Sequence, residues 1–320
     1  MPQLSIIIVN WNSKDFLRQC LQSVYANTRG ISFEIIVVDG ASFDGCGEML
    51  VRKFPEVRFI QLEKNVGFAK ANNLGFEQSQ GGCVLFLNPD TEIAGDAINV
   101  LYEFLKKNGD AGIVGAKLLN TDGSVQMSCI QTFPTILNQL LDAEILRRAF
   151  PRLSFWGIVP LFSADKRPVA VEVISGACLM LTRTAFEKIG RFSDDYFLYA
   201  EDLDLCRKIQ LAGLKNYYVP AAIVTHHGGG SSRQTQSVFS TVMMRESVYR
   251  FLKKFRGGFY GAAFRASVAL GALARLLLLA ILFPIRLLLG KAEPARDAIR
   301  RWTAILKWTC GRERSVKDFC

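Results

Sequence analysis

The chain has 320 residues, of which 50% are apolar and 21% are charged, and this composition excludes a disordered, collagen-like or disulfide-stapled small protein. The eight cysteines are scattered without a CxxC pair, and no secretory signal sequence precedes the first apolar run, so we expect reduced thiols in a cytoplasmic protein. The formal net charge of +10 arises in the tail, because residues 240–320 carry +11 and residues 1–239 carry −1. Since this tail is also the most apolar part of the chain, its charge indicates anionic lipid as a partner and not nucleic acid.

The first 120 residues alternate apolar β-branched runs with helical patterns. The predicted strands are Leu4–Val9, Glu34–Val38, Arg58–Leu62, Val84–Leu87 and Gly112–Gly115. The predicted helices are Lys14–Tyr25, Gly47–Lys53, Ala69–Gln78 and Asp96–Lys107. The runs "SIIIV", "EIIVV" and "CVLFL" are apolar on both faces, as central strands of a covered parallel sheet are. The alternation predicts an α/β fold with a doubly wound, Rossmann-like and mainly parallel sheet, whose ligands bind at the carboxyl ends of the strands.

The second half of the chain is less regular at first. Prolines interrupt residues 120–170, which we interpret as an acceptor-binding insertion with a flexible part. The elements predicted after it are a strand at Val169–Ile174, an "SGA" turn, an apolar run at Cys178–Leu181, helices at Thr184–Gly190 and Glu201–Leu211, and a strand at Tyr217–Val224. From about Ser237 onward the pattern is helical throughout.

Acidic residues follow two of the predicted strands. Asp39 comes directly after "IIVV", where a carboxylate can accept hydrogen bonds from a ribose or a base edge. Asn88-Pro89-Asp90 follows "CVLFL", and an Asp at a strand end is a suitable ligand for a hard divalent cation that keeps waters and substrate phosphates. Both motifs are also good turn chemistry, so an Asx-turn and a simple turn remain the alternatives.

A third acidic cluster and the only two histidines lie further along. The segment "DDYFLYAEDLD" places five carboxylates among aromatic residues, and a capped helix start explains Glu201 and Asp202 but not that half-buried setting. His226 and His227 end a strand before "GGGSS", so alternation predicts that one faces a site and one faces away. The glycines let a backbone approach a diphosphate closely, although a flexible linker has the same composition.

The segment "NVGFAKANNLG" at Asn65–Gly75 opens a helix without matching GxxxxGK[ST] or GxGxxG. That absence argues against a P-loop kinase and against a nicotinamide-dependent dehydrogenase.

Taken together and in order, six motifs resemble glycosyltransferase family two, which has the GT-A fold, and in particular its rhamnosyltransferase-like branch. They are "SIIIVNWNS", "IIVVDGASFDG", "NVGFAKANNLG", "VLFLNPDT", "SGACLMLTRTAFEKIGRFSDDYFLYAEDLDLCRKIQLAG" and "HHGGGSS". The resemblance covers roughly residues 3–235. One departure is Gly40, where the branch usually has Asn, and it affects the fine nucleotide contacts.

The resemblance implies roles for individual residues. Asp39 is expected to hold the nucleotide base, and Asp202 is expected to be the general base. Asp90 is expected to bind Mg²⁺ or Mn²⁺ with His226, in the position of the family's DxD motif, where Asn88 replaces the first acid. The residues expected to line the nucleotide-sugar site are Val9, Asn10, Asn12, Asp39, Asn65, Gly67, Asn72, Asn88, Asp90 and Glu201.

The tail from residue 259 to residue 290 is apolar but interrupted by arginines. Its charge-free runs are Ala266–Ala274 and Leu276–Ile285, both shorter than the roughly 18 residues of a spanning helix. Arg265, Arg275 and Arg286 fall within an arc of about 80° on one helical face. We therefore expect an interfacial helix, kinked near Pro284, with its arginines toward lipid headgroups. A tilted or re-entrant segment with snorkelling arginines and a helix pair packed on the catalytic domain remain open.

The sequence as a whole predicts a catalytic domain at residues 1–236 and a membrane-associating tail at residues 237–320. The expected activity is inverting transfer of a sugar, with rhamnose as one candidate, from a dTDP- or UDP-sugar to a lipid-linked or polysaccharide acceptor. The expected location is the cytoplasmic face of the cell membrane, with peripheral or monotopic attachment. The alternatives are a polyprenyl-phosphate glycosyltransferase, a non-catalytic nucleotide-binding membrane scaffold and a basic adaptor.

Overall fold

The computed structural model describes residues 1–140, 167–228, 238–288 and 292–313, and these form two compact units. The first unit contains the described residues of 1–133, 167–197 and 201–228. The second contains 134–140, 198–200, 238–288 and 292–313. Most of the predicted acceptor insertion and the loop after Gly228 lie outside the described residues. The domain boundary after residue 236 stays a prediction.

The first unit consists of strands and helices that alternate over its first half. Its strands are β1 Leu4–Asn10, β2 Phe33–Asp39, β3 Arg58–Gln61, β4 Cys83–Leu87, β5 Thr91–Ala94, β6 Ala111–Leu119, β7 Ile130–Gln131, β8 Val169–Val171, β9 Val173–Ile174, β10 Cys178–Thr182 and β11 Lys215–His226. Its helices are α1 Lys14–Asn27, α2 Cys46–Lys53, α3 Phe68–Glu77, α4 Ala97–Lys107, α6 Arg183–Lys188 and α7 Glu201–Leu211. The helix α5, Ile136–Leu140, belongs to the second unit.

Nine of the eleven described strands form one sheet in the order β3-β2-β1-β4-β10-β6-β11-β5, with β8 beside β11, and β7 and β9 form a second sheet. Strands β1 to β4, β6 and β11 run in one direction, while β5, β8 and β10 run in the other. The mainly parallel, helix-covered sheet predicted from the sequence is confirmed. The antiparallel direction of β10 was not predicted, because a buried apolar run has the same pattern in either direction.

The apolar patterns explain why these elements form. Ile6, Ile7 and Ile8 in β1 are all fully buried, so this central strand is covered on both faces as predicted. In α1 the buried residues recur at helical spacing, at Leu17, Cys20, Leu21 and Val24. Parallel pairing in register places Asn10 at the end of β1 beside Asp39 at the end of β2. The polar residues that follow the strands therefore share one edge of the sheet.

Two predicted elements differ from the structure. The single strand predicted at Val169–Ile174 is two short strands, because β8 pairs with β11 while β9 pairs with β7 in a separate sheet. Strand β5 was not predicted, because "NPDT" is typical of a turn and the strand that begins at its last residue is only four residues long. It pairs antiparallel with the last residues of β11, so that Thr91 lies opposite His226.

The second unit is helical in its described residues. Its long helices are α8 Val238–Arg256, α9 Gly258–Leu288 and α10 Ala292–Thr309. By length and composition alone, Gly258–Pro284 in α9 is able to cross a membrane, because it has 27 residues and contains an 18-residue window with a mean hydropathy of 2.3. The charge-free runs alone understated this length, because only two arginines interrupt the segment.

The arginines of α9 do not have the environment that we expected for headgroup ligands. Arg265 donates to the carbonyl oxygen of Trp308 at 2.8 Å and lies 5.0 Å from the centre of that indole ring. Arg275 lies 4.6 Å from the ring centre of Trp302 and donates to the Leu140 carbonyl oxygen at 3.4 Å. Cation–π contacts and carbonyl acceptors inside the unit thus take the place of lipid phosphates. The side chain of Arg286 lies outside the described residues.

The outward face of α9 is apolar instead. Its exposed large side chains are Phe259, Leu270, Leu273, Leu277, Leu278, Ile281 and Leu287. The spacing of three and four residues from Leu270 to Ile281 places four of them in one stripe along the helix. Exposed apolar patches of this kind mark contacts with another protein or with a membrane.

Candidate active site

A buried carboxylate organises the end of the sheet formed by β1, β2 and β3. The oxygen atoms of Asp39 accept hydrogen bonds from Asn10 Nδ2 at 2.7 Å and from Gln61 Nε2 at 2.7 Å. They also accept from the Ser42 hydroxyl at 2.7 Å, the Ser42 amide at 2.8 Å and the Cys46 thiol at 3.2 Å. Burial alone would raise the pKa of Asp39, but these donors outweigh it and hold the pKa below its ordinary value. Asp39 is therefore ionised and fully occupied by protein donors.

The same network extends to the loop after β1. The Asn12 amide donates to Ser42 Oγ at 2.7 Å, and Asn12 Oδ1 accepts from the Phe43 amide at 3.1 Å. Asn12 has a φ of +50°, a conformation that its short polar side chain tolerates better than most. Val9 packs against the buried apolar cluster at the base of the loop. The structure thus brings Asn10, Asn12 and Asp39 together, and base binding by Asp39 requires a nucleotide to replace one of its present donors.

The N-terminus of α3 is closed by the segment that precedes α7. The Phe68 amide donates to the Phe197 carbonyl oxygen at 2.8 Å, and the Gly67 amide donates to Asn65 Oδ1 at 2.9 Å. Gly67 has a φ of +87°, and a Cβ atom there would lie 2.4 Å from the Phe197 oxygen, so only glycine fits. Asn72 is buried and donates to the Phe68 carbonyl oxygen within its own helix. Asn65 and Gly67 therefore lie at the N-terminus of this helix, whereas Asn72 lies in its second turn.

Asn88 and Asp90 lie beside His226 at the end of β4. His226 Nε2 is 3.2 Å from Asp90 Oδ1 and 3.4 Å from Asn88 Nδ2. The other ring nitrogen, Nδ1, is 2.7 Å from Gln126 Oε1, which can only accept, so Nδ1 carries a proton and donates it. In the neutral ring this leaves the lone pair on Nε2, where it can accept from Asn88 Nδ2 and also lies 3.2 Å from the Asp90 carboxylate oxygen. Two acceptors facing each other at this distance favour a cation between them.

The donor set of this pair suits a divalent cation that also binds substrate. A carboxylate oxygen and a neutral imidazole nitrogen are ligands for Mn²⁺ or Mg²⁺, with water and phosphate oxygens completing the shell. Among the described residues, no group of three or more His, Cys, Asp and Glu side chains converges. Asp90 and His226 therefore fit a cation that arrives with a diphosphate better than a permanently caged one.

His227 lies apart from this pair. Its Nε2 is 2.6 Å from Glu92 Oε1, and its ring centre is 5.3 Å from that of Phe16. Its backbone amide donates to the Asp90 carbonyl oxygen at 2.9 Å. The structure thus assigns the two histidines to different surroundings, with His226 beside the acid of the DxD-like motif.

Two consecutive acids open α7 in a buried setting. Asp202 accepts hydrogen bonds from the Gly176 amide at 3.0 Å and the Leu203 amide at 2.8 Å. Burial raises the pKa of Asp202, and these amides partly offset that effect. Burial and the neighbouring Asp202 raise the pKa of Glu201 to about 8, and no described residue gives Glu201 Oε2 a hydrogen bond. Burial therefore favours a proton on this pair, and the two backbone donors favour Asp202 over Glu201 as the member that carries the negative charge.

The backbone just before these acids is strained. Tyr199 and Ala200 have φ values of +70° and +63°, which non-glycine residues rarely adopt. Each such residue costs about 1–2 kcal/mol unless its surroundings favour the conformation. Non-glycine residues are held in this region mostly where a site requires it.

A short backbone connection joins Asp202 to the Asn88–Asp90 motif. The Asn88 amide donates to the Ala177 carbonyl oxygen at 2.9 Å, and the preceding residue, Gly176, holds Asp202. A Cβ atom on Gly176 would lie 3.4 Å from Cβ of Asp202, so the turn and the acid are in close contact. Asp202 and the Asn88–Asp90 motif consequently meet at one edge of the sheet.

The other acids of the "DDYFLYAEDLD" segment have a different environment. Asp204 is fully buried and accepts from the Ser193 hydroxyl at 2.7 Å and the Tyr196 hydroxyl at 3.1 Å. Lys208 Nζ lies 3.4 Å from the same carboxylate. Asp204 therefore holds the aromatic loop against α7. The aromatic residues beside the acids thus have a structural role and not a catalytic one.

Sequence reasoning missed several supporting residues. Gln126 lies in a segment without a recognisable motif, and only the fold brings it to His226. Gln61 and Gly176 likewise act through contacts across strands or loops. Ser42, three residues after Asp39, was the one available local signal, since a Ser at that spacing readily bonds an Asx side chain.

The mainly parallel sheet covered by helices, with an acidic motif at the end of β4, is the architecture of the GT-A glycosyltransferases. The model of the family "Glycosyl transferase family 2" matches residues 5–190. The chain belongs to this family and is a glycosyltransferase.

Curated relatives match over most of the chain. One is an N-acetylglucosaminyl-diphospho-decaprenol L-rhamnosyltransferase of Mycobacterium tuberculosis, 29% identical over 274 residues, which are 82% of this chain and 88% of the relative. Another is the rhamnosyltransferase WbbL of Escherichia coli, 22% identical over 78% of this chain and 93% of the relative. These support the rhamnosyltransferase-like branch that the motifs indicated.

Solved structures share the fold. A mannosyltransferase from Pyrobaculum calidifontis, in complex with GDP-mannose and Mn²⁺, has a TM-score of 0.60 at 18% identity and covers 99% of this chain and 88% of its own. The structure of GalNAc-T7 with UDP, GalNAc and Mn²⁺ has a TM-score of 0.56 at 17% identity and covers 77% of this chain and 47% of its own.

Proposed function

We propose that the protein is a metal-dependent inverting glycosyltransferase of cell-envelope glycan assembly. It transfers one sugar, with rhamnose as the leading candidate, from a dTDP- or UDP-sugar to a lipid-linked or polysaccharide acceptor. The observation that carries this proposal is the link between the two acidic groups: the Gly176 amide holds Asp202, the adjacent Ala177 carbonyl oxygen accepts from the Asn88 amide, and Asp90 lies 3.2 Å from His226. The rhamnosyltransferase relatives and the Mn²⁺ complexes of the solved structures support it.

Each residue group has a distinct task in this reaction. Asp202, held by two backbone amides, accepts the proton of the acceptor hydroxyl as that oxygen attacks the anomeric carbon. One base on the face opposite the leaving group gives inversion. Asp90 and His226 would hold Mg²⁺ or Mn²⁺, which neutralises the charge developing on the departing nucleoside diphosphate. Glu201, protonated beside Asp202, keeps a second negative charge away from the base.

We further propose that the protein is attached to the cytoplasmic face of the membrane in a monotopic manner through α9. The apolar stripe from Leu270 to Ile281 faces outward, whereas Arg265 and Arg275 contact tryptophans of α10. A helix with one apolar face exposed and the other covered by protein lies along a membrane surface more readily than across it. The net charge of +11 in residues 240–320 adds attraction to anionic headgroups.

Donor turnover by the purified full-length protein tests the proposal. dTDP-, UDP- and GDP-sugars are screened with Mn²⁺, Mg²⁺ or chelator, beside Asp202→Asn, Asp90→Ala and the exposed control Asp194→Asn. We expect Asp202→Asn to lose roughly 10²–10⁴ in kcat while it still binds the donor. Asp90→Ala is expected to lose metal-dependent donor binding, and the control to behave as wild type.

Two further readouts separate the alternatives. NMR of the product is expected to show an inverted anomeric configuration. An acceptor that carries a lipid-diphosphate-linked sugar is compared with bare polyprenyl phosphate, and preference for the latter would favour the polyprenyl-phosphate enzyme. If no donor is bound or consumed while the protein still pellets with anionic vesicles, the chain is a scaffold and the proposal is wrong.

A further inference from the structure

The segment Leu198–Ala200 enters α7 in a conformation that its own residues do not favour. Tyr199 and Ala200 are both left-handed, and neither is glycine. A segment of this kind returns to ordinary conformations unless neighbouring groups hold it. Since Glu201 and Asp202 follow directly, the groups that hold this segment also determine where α7 begins.

One of these groups is a buried serine of α8. Ser247 Oγ donates to the Leu198 carbonyl oxygen at 2.8 Å, and Ser247 is only 1% exposed. Both residues belong to the same helical unit. On the preceding residue, the Phe197 carbonyl oxygen accepts from the Phe68 amide at 2.8 Å. Two successive carbonyl groups are thus fixed immediately before the two left-handed residues.

The serine itself lies on a firmly placed helix. The neighbouring Glu246 accepts from Trp308 Nε1 at 2.8 Å and from Arg250 Nε at 2.7 Å. Trp308 is 2% exposed and comes from α10, so α8 is tied to the next helix at this level. The hydroxyl of Ser247 is therefore presented from a fixed position and does not depend on a mobile side chain.

We propose that Ser247 is a positioning residue for the base, and this inference rests on the proposed role of Asp202. The hydroxyl holds the Leu198 carbonyl group, which keeps Tyr199 and Ala200 left-handed and thereby fixes the first turn of α7. Asp202 then keeps the hydrogen bonds from its two backbone amides and the orientation that its proposed role as base requires. In this proposal Ser247 acts through the backbone of Leu198–Ala200 and not through contact with the substrates.

The test compares hydroxyl deletion with loss of packing in the same helix. Ser247→Ala removes the donor, whereas Val248→Ala removes apolar contacts of a buried neighbour and leaves the hydroxyl in place. We expect Ser247→Ala to lower kcat between about tenfold and 100-fold, with the donor KM within about twofold of wild type, because small displacements of a catalytic group are costly. Val248→Ala is expected to keep kcat within about threefold even where its melting temperature falls.

A second-site variant tests the backbone part of the argument. Glycine adopts left-handed angles without strain, so Ala200→Gly in the Ser247→Ala background is expected to restore kcat at least threefold. Ser247→Cys replaces the hydroxyl with a weaker donor of similar size, and its kcat is expected to lie between those of wild type and Ser247→Ala. This variant supplies the comparison if Ser247→Ala does not fold.

The outcomes separate this inference from the proposed function. If Asp202→Asn keeps wild-type activity in the same assay, the assignment of the base is wrong. If Asp202→Asn is inactive while Ser247→Ala and Ser247→Cys keep wild-type kcat, only the positioning role is wrong. An equal loss in Val248→Ala, or no recovery with Ala200→Gly, would also overturn it, because the effect would then be one of general packing.

Discussion

Replacing Glu201 with Gln is expected to change how the stability of the protein depends on pH. Burial and the neighbouring Asp202 raise the pKa of Glu201 from an ordinary 4.5 to about 8. Between these two values the folded protein holds a proton that the unfolded chain has released. The free energy of unfolding therefore falls as the pH rises through this window, and the loss is complete above pH 8.

The size of the effect follows from the single extra proton. One proton bound only in the folded state gives a slope of about 1.4 kcal/mol per pH unit. For a unit of this size, 1 kcal/mol corresponds to roughly 2–4 °C in melting temperature, so the slope is about 3–6 °C per pH unit. Glutamine has no proton to release, and its amide is neutral like the protonated acid. Asp202 also has a raised pKa, which affects both proteins, so the comparison is between slopes.

The assay is thermal unfolding of the full-length protein in non-ionic detergent from pH 5 to pH 8. We expect the melting temperature of the wild type to fall over this range more steeply than that of Glu201→Gln, which is the more stable protein at pH 8. The exposed control Glu63→Gln is expected to follow the wild type. Equal slopes for wild type and Glu201→Gln would show that Glu201 is ionised at neutral pH. The proposed role of a protonated Glu201 beside Asp202 would then be wrong.

Two further substitutions test other parts of the molecule. Asp39→Asn leaves several hydrogen-bond donors facing an amide in place of a carboxylate. We expect binding of the nucleotide sugar to be lost, as measured by calorimetry. We also expect thermal unfolding to show a loss of roughly 1–3 kcal/mol of stability for each hydrogen-bond donor left without an acceptor. If the variant keeps full stability but no longer binds the nucleotide sugar, Asp39 contributes to nucleotide binding and not to the stability of the fold. Leu277→Asp in the apolar stripe is expected to weaken pelleting with anionic vesicles at least about tenfold, whereas the equally exposed Leu211→Asp in α7 is not. Equal effects of the two would contradict membrane contact through α9.

The sequence predicted the sheet well, because its central strands are too apolar to be anything else. Ile6, Ile7 and Ile8 leave no polar face, and the helices between the strands bury residues at regular spacing. The direction of β10 and the strand β5 could not be predicted in the same way. Both depend on the strand that each one pairs with in the folded sheet. Strand β5 pairs with the end of β11 at His226, more than 130 residues further along the chain.

The candidate site shows the same limit. Asp39, Asp90 and Asp202 could be selected because each follows a strand or opens a helix in a recognisable motif. Gln126 could not, because its contact with His226 spans 100 residues and has no local pattern. The tail gives a clear example of a misleading pattern. Three arginines on one helical face predicted a charged outer surface, but tryptophans later in the chain cover Arg265 and Arg275.

The closeness of Gly67 to Phe197 has a consequence for how donor sugars are distinguished. A single methyl group at position 67 would collide with the backbone of Phe197, and the Phe68 amide donates to the Phe197 carbonyl oxygen, so we expect a displacement of the N-terminus of α3 to displace the backbone at Phe197 as well. On the proposed assignment, a sugar that fits imperfectly against this helix also shifts the base that must activate its partner. The enzyme would then reject a wrong donor through slow turnover more than through weak binding.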